Sequence, residues 1–216
     1  MQQQLLAHGY LTRCGQITDT SLVQAPVQRN KRDEAETVKE GTMPIAWKAH
    51  ERAQKDVGAK RTKKHRKSHF GYKLHAGIDK RYKLMRKVII TNAAVADTTV
   101  FETLPDPNHT SRDVYADRSY PSAKREATLT EAGWSVQIQR KGSATKLISQ
   151  TQKQRNRRIA TPRARVEHVF GALRHTGGKL VRCLGIVRTT FALNLKTASY
   201  NLPRLVFLKE RGVPAF

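Results

Sequence analysis

The chain has 216 residues, with 41 Lys and Arg against 17 Asp and Glu, and a formal net charge of +24. Its 38% apolar and 27% charged residues fit one folded, rather polar domain, and the charge favours a polyanion whose counterions are released on binding. No apolar run reaches the length of a membrane span, no basic amphipathic helix with an aromatic face suggests a membrane surface, and Cys14 and Cys183 have neither metal spacing nor a disulfide framework.

The opening, MQQQLLAHGYLTRCG, lacks the basic head and continuous apolar run of a secretion signal, so a reduced, cytosolic setting is expected. Residues 15–23 read as the first strand, with Asp19 at the same parity as Ile17 and Val23. Residues 30–67 show little periodicity and predict a long surface excursion. Six Lys or Arg fall within its last stretch, KRTKKHRK at 60–67. Lys60, Arg61, Lys63 and Lys64 there suit either a phosphate-contacting arm or a plain solvated loop, and the sequence leaves both open.

SHFGYKLHAGID is the clearest strand: Phe70, Tyr72, Leu74, Ala76 and Ile78 alternate with polar or small residues. Lys73 and His75 fall on the opposite face, as DNA contacts or as an ordinary solvated surface. A turn at 79–81 leads into YKLMRKVIITN, which predicts a hairpin. DTTVFETL (97–104) predicts a short helix capped by Asp97. DVYAD (113–117) reads as a strand, followed by a helix over 122–132 closed by Gly133, and SVQIQRK (135–141) returns as a strand. Basic residues 150–160 open toward RARVEHVFGAL, a helical stretch carrying Glu167. FALNLKTASYNLPRLVFL predicts a last helix, broken at Pro203.

Three acids stand out against this basic background. Asp19 lies within an apolar strand, an uncomfortable place for a lone carboxylate. Asp117 ends a short strand before a turn into a helix, where open sheets present ligand-binding residues. Glu167 shares a helix face with Arg163 and Arg174, at wheel angles of about 40°, 0° and 20°, beside the apolar row Val166, Val169 and Leu173. Singly, each acid has an ordinary alternative: an edge-strand residue, a turn aspartate, an Arg163–Glu167 pair one turn apart. Together they offer three hard oxygen ligands suited to magnesium or manganese.

From about residue 15 to 207 the chain resembles transposases of the insertion sequence 5 family, a DDE group with an RNase H-like catalytic core. The stretches that carry this are ITDTSLVQAPVQRNKRDEAETVKEG, HFGYKLHAGID, DVYADRSY, RARVEHVFGALR and LNLKTASYNL. The resemblance implies that Asp19, Asp117 and Glu167 are the catalytic acids holding a two-ion magnesium or manganese site. It implies that Arg163 and Arg174 match the Arg–Glu–Lys/Arg signature around the third acid and contact DNA. The family signature opens with tyrosine where this chain has Ala160, and the glycine two residues after the second acid is Ser119 here. The family's Asp-Ala-Arg-Trp-like stretch after Lys55 is represented by Gly58, Ala59, Lys60 and Arg61.

The expected fold is α/β, an RNase H-like mixed five-stranded sheet flanked by helices. Residues 1–14 are expected to be a residual amino-terminal segment, 15–207 the catalytic domain with its basic excursion at 30–67, and 208–216 a tail. Because the family carries a DNA-recognition region ahead of the first acid and Met1 lies 18 residues before Asp19, a shortened copy is expected. The expected partner is DNA, in the bacterial cytosol and associated with the nucleoid. A homo-oligomer on DNA is left open, and no membrane is involved. The expected activity is metal-dependent strand cleavage and transfer, the alternative a non-catalytic basic DNA-binding protein or regulator of transposition.

Overall fold

A computed structural model of the chain describes residues 2–10, 14–143 and 147–213. Helix α1 (Gln2–Ala7) precedes strand β1 (Gln16–Gln24), helix α2 (Arg32–Glu40) and a single turn α3 (Ala49–Arg52). Strands β2 (Lys60–Lys64), β3 (Lys67–Asp79) and β4 (Met85–Asn92) follow, then two 3-10 turns (Asp97–Thr99 and Phe101–Thr103). Strand β5 (Asp113–Ala116), helix α4 (Ala123–Glu131) and strand β6 (Ser135–Ile138) lead to two long helices, α5 (Gln150–His175) and α6 (Ile186–Glu210).

Five strands form a mixed sheet in the order β4–β3–β1–β5–β6, antiparallel from β4 to β1 and parallel from β1 to β6. This is the sheet that the RNase H-like resemblance implies. A sixth strand, β2, pairs with residues 67–71 of β3, beyond the stretch that β4 covers. Both faces of the sheet are buried. On one, Ile17, Val23, Tyr72, Leu74, Ala76 and Ile78 pack with Val166, Val169, Phe170 and Leu173 of α5. Residues of opposite parity, Val114 and Ala116, pack on the other face with Phe101, Tyr120 and Leu129. At Gly71 the backbone has φ +147 and a Cβ would lie 2.2 Å from the Val23 carbonyl oxygen, so glycine lets the end of β1 close onto β3. Among the described residues no helix is long and apolar enough to cross a membrane.

The structure departs from the sequence reading in four places. The excursion at 30–67 contains α2, α3 and β2, with Trp47 only 2% exposed. Only Val38 of α2 is buried, so no apolar period marks that helix; its ends are set instead by the Glu34 carboxylate accepting the Lys31 N–H and by Gly41 at φ 91. Residues 97–104 form two 3-10 turns rather than a helix capped by Asp97, and the Asp97 carboxylate pairs with Lys73 at 2.9 Å. Helix α6 passes through Pro203 without ending. The Asn201 side chain bonds both the N–H and the carbonyl of Met85, at 2.9 and 2.8 Å, and Leu208 is buried against Leu5, Tyr10, Tyr82 and Leu84. Tertiary contacts on both sides of Pro203 outweigh its missing N–H. Residues 208–210 therefore belong to this helix and its packing.

Candidate active site

Strands β1 and β5 run parallel with Gln16 beside Val114 and Ile17 beside Tyr115. Continued for two residues, that register sets Asp19 beside Asp117, just past the end of β5. Ile17 and Tyr115 face the α5 side of the sheet, so both acids point there by parity. One turn of α5 meets them. Arg163 Nη2 lies 3.1 Å from Asp19 Oδ2 and 4.0 Å from Asp117 Oδ2, and its Nη1 donates to Gln139 Oε1 at 3.1 Å. Gln139, the residue after β6, is itself anchored by donating to the Asn156 carbonyl of α5 at 3.1 Å.

Asp19 accepts the Thr20 N–H at 2.7 Å, and Asp117 accepts both the N–H (2.7 Å) and the hydroxyl of Ser119. Glu167 stands exposed one turn beyond Arg163 and makes no ion pair with it among the described residues. It lines a cleft of about 1070 Å³ together with Asp19, Asp117, Arg163, Arg174 and Lys179. Burial pushes the Asp19 carboxyl up from 3.8 to about 6; Arg163 and the Thr20 N–H oppose this, while Asp117 and Glu167 add to it. Asp19 thus senses both other acids across the cleft. Among the described residues no three His, Cys, Asp or Glu groups stand close enough to form a ready metal cage. Arg163 serves as the counter-cation for Asp19 and Asp117.

The other residues singled out from the sequence take varied places. Arg174 and Lys64 line the main cleft, and Lys63 and Lys64 line an adjoining pocket that also reaches Asp19 and Asp117. The β2–β3 hairpin therefore borders the acids. Its two-residue tip, His65 and Arg66, has φ values of 50 and 64, the left-handed geometry of a tight hairpin turn, here without glycine. Arg61 stacks its guanidinium over Phe70, 5.5 Å from the ring centre. Lys60 turns away from the cleft to the carbonyls of Val38 and Lys39, closing the end of α2.

Of the strand-face residues, Lys73 lines the same adjoining pocket as Lys63 and Lys64, whereas His75 is covered. Lys73 donates to the Val95 carbonyl at 2.6 Å and pairs with Asp97. His75 is fully buried, with Nδ1 2.9 Å from Thr20 Oγ1 and Nε2 2.8 Å from Thr91 Oγ1. No polyanion can reach it there, which corrects its reading as a DNA contact. Burial, with Lys73 nearby, lowers its pKa to about 4 against the pull of Asp97, so the ring is neutral. Thr20 Oγ1 also lies 3.2 Å from the Tyr120 hydroxyl. This chain ties β3 to β1 beside Asp19 and to the loop three residues after Asp117. Neither it nor Gln139 was picked out from the sequence; the one available signal was that a histidine inside a strand needs polar partners if both faces are covered.

Residues 12–202 match the Transposase DDE domain family. The chain belongs to that family. Over 150 residues it is 30% identical to the transposase for insertion sequence element IS1106 of Neisseria meningitidis serogroup B, an alignment covering 68% of this chain and 51% of the relative. The chain thus spans about half the length of that curated relative. No solved structure matches it. In this DDE domain, Asp19 lies in β1, Asp117 just past the end of the neighbouring parallel strand β5, and Glu167 on α5 along the same cleft.

Proposed function

We propose that this DDE domain cuts and joins DNA strands in insertion-sequence transposition, with divalent ions held by Asp19, Asp117 and Glu167. One observation carries the reading: Asp19 and Asp117 flank a single cationic nitrogen, that of Arg163, and Glu167 lines the same cleft. The donor set fits magnesium or manganese, because hard cations prefer carboxylate oxygens and the charges of Asp117 and Glu167 act on Asp19 in the direction a cation would relieve. When bound, such ions would activate the attacking oxygen and stabilise the leaving one.

The chain's own residues supply the rest. Buried strand β1 fixes Asp19, while Ser119 orients the Asp117 carboxylate. Gln139 holds the Arg163 guanidinium at the acids, where it can pair with a phosphate once they are otherwise neutralised. Arg174, Lys179, Lys63 and Lys64 add positive charge around the cleft, which suits a DNA backbone. A second reading, DNA binding without chemistry, draws on the absence of a ready three-ligand cage among the described residues.

One assay separates the two. A labelled duplex is incubated with the chain in Mg²⁺, Mn²⁺ or EDTA, and nicking and binding are measured in parallel. The expected result is metal-dependent nicking that Asp117→Asn abolishes while DNA affinity holds or rises slightly. Binding without nicking in either metal supports the second reading, and equal loss of binding and cleavage makes Asp117 structural.

A further inference from the structure

Helix α6 carries an exposed apolar row that the active site does not use. Val187, Phe191, Leu195, Leu202 and Val206 are 79%, 66%, 53%, 52% and 52% exposed. With the small Ala198 they lie within about 100° of one another on the helix wheel. The row has two regularities. Each member of its first half recurs 11 residues on (187 and 198, 191 and 202, 195 and 206), a period that keeps a contact line on one face of a nearly straight helix. The spacing 4-4-3-4-4 also reads the same in both directions. Reversed upon itself, the row sets Val187 opposite Val206, Phe191 opposite Leu202, and the large Leu195 opposite the small Ala198. That is the self-complementarity a twofold interface requires. No charged side chain interrupts it except Arg188 at its edge.

We infer that this face of α6 is a self-association surface, on which two copies of the chain pair antiparallel about the twofold between Lys196 and Thr197. The five large side chains expose on the order of 500 Å² per copy, about 1,000 Å² for a pair, which is at the threshold for a specific interface and toward the upper end of the largest apolar patch a monomer carries. The pairing concentrates on aliphatic and aromatic contact, so it strengthens with salt that screens repulsion between two +24 chains. It does not depend on the acids or on metal.

The test is sedimentation equilibrium of the 216-residue chain in about 0.5 M salt, where repulsion is screened. A concentration-dependent species of twice the 24.4 kDa chain mass is expected. Phe191→Glu with Leu202→Glu, both surface changes, should return it to monomer with unchanged circular dichroism. Register is tested by disulfide trapping after Cys14→Ser and Cys183→Ser. A mixture of V187C and V206C chains should cross-link, whereas V187C alone should not, because the two copies of position 187 would lie on the order of 28 Å apart along the axis. A monomer at all concentrations, a dimer that survives the double glutamate variant, or cross-linking of V187C to itself would overturn the inference.

Discussion

Asp19→Asn should make the metal-free protein more stable while ending its chemistry. In the fold the Asp19 carboxyl is raised from 3.8 to about 6, mainly by burial, and this net shift already includes the attraction of Arg163. Ionising it is therefore harder in the folded than in the unfolded chain by about 3 kcal/mol. The sign follows from proton counts. Between those two values the folded state holds the proton more often, so the Asp19 contribution to wild-type stability falls as pH rises from about 4 through 6. Asparagine keeps the shape and has no proton to lose. Its advantage should be about 1 kcal/mol at pH 4.5 and about 3 kcal/mol above pH 7. For a chain of this length that is roughly 5–10 °C in melting temperature at the higher pH. Urea or thermal melts of both proteins at pH 4.5 and pH 8 measure it. The contribution of His75 is common to both chains and cancels in the difference. An advantage that does not change with pH, or an asparagine variant less stable at pH 8, would refute the view that Asp19 is held at a cost. Adding Mg²⁺ to the wild type should narrow the gap, because an ion that binds only the folded acids stabilises that state.

Two further outcomes separate contact from support. Lys63→Ala with Lys64→Ala should weaken DNA binding alike for all sequences and reduce the salt slope by about two units, whereas Lys60→Ala should leave the slope unchanged and loosen α2 instead, as gel shifts over a salt series would register. His75 is neutral in the fold with its pKa lowered to about 4, so its contribution should cost the wild type roughly 2 kcal/mol at pH 5 relative to pH above 6.5, against the opposite trend from Asp19; in urea melts His75→Gln should therefore gain about that much on the wild type between pH 7.5 and pH 5, and a difference between the two proteins that does not change with pH would refute it.

Much of this fold was legible because its strands repeat with period two. In β3 the alternation of Phe70, Tyr72, Leu74, Ala76 and Ile78 identified one buried face. It could not show that the other face was largely covered. Lys73 and His75 look like solvent-facing residues until Asp97 and Thr91, distant in sequence, supply their partners. Helix α2 was invisible for the opposite reason: it buries one residue, Val38, and is held by its caps. Pro203 misled because a local rule met two strong non-local anchors, Asn201 on Met85 and Leu208 in the amino-terminal cluster. At the site, Asp19 was noticeable as a carboxylate at core parity. Its nearness to Asp117 rests on the parallel β1–β5 pairing, and the role of Gln139 on where α5 crosses β6; neither is written in any one segment.

The three acids are supported unequally, and this has a functional consequence. Asp19 sits in a central strand paired on both sides, while Asp117 lies just past a strand end in a turn closed by Ser119. Glu167 stands on the exposed edge of α5, free of any ion pair among the described residues. A rigid acid raises the repulsion among the three because it cannot move away, and Arg163 relieves that repulsion only for the two aspartates it reaches. On the proposed function, rotamer freedom at Glu167 would let a third ligand adjust to whatever cation neutralises the pair. The side chain that contributes least to the fold would then be the one that completes the proposed site, while the cost of holding a carboxylate in the fold falls on Asp19, where the surrounding sheet can hold it.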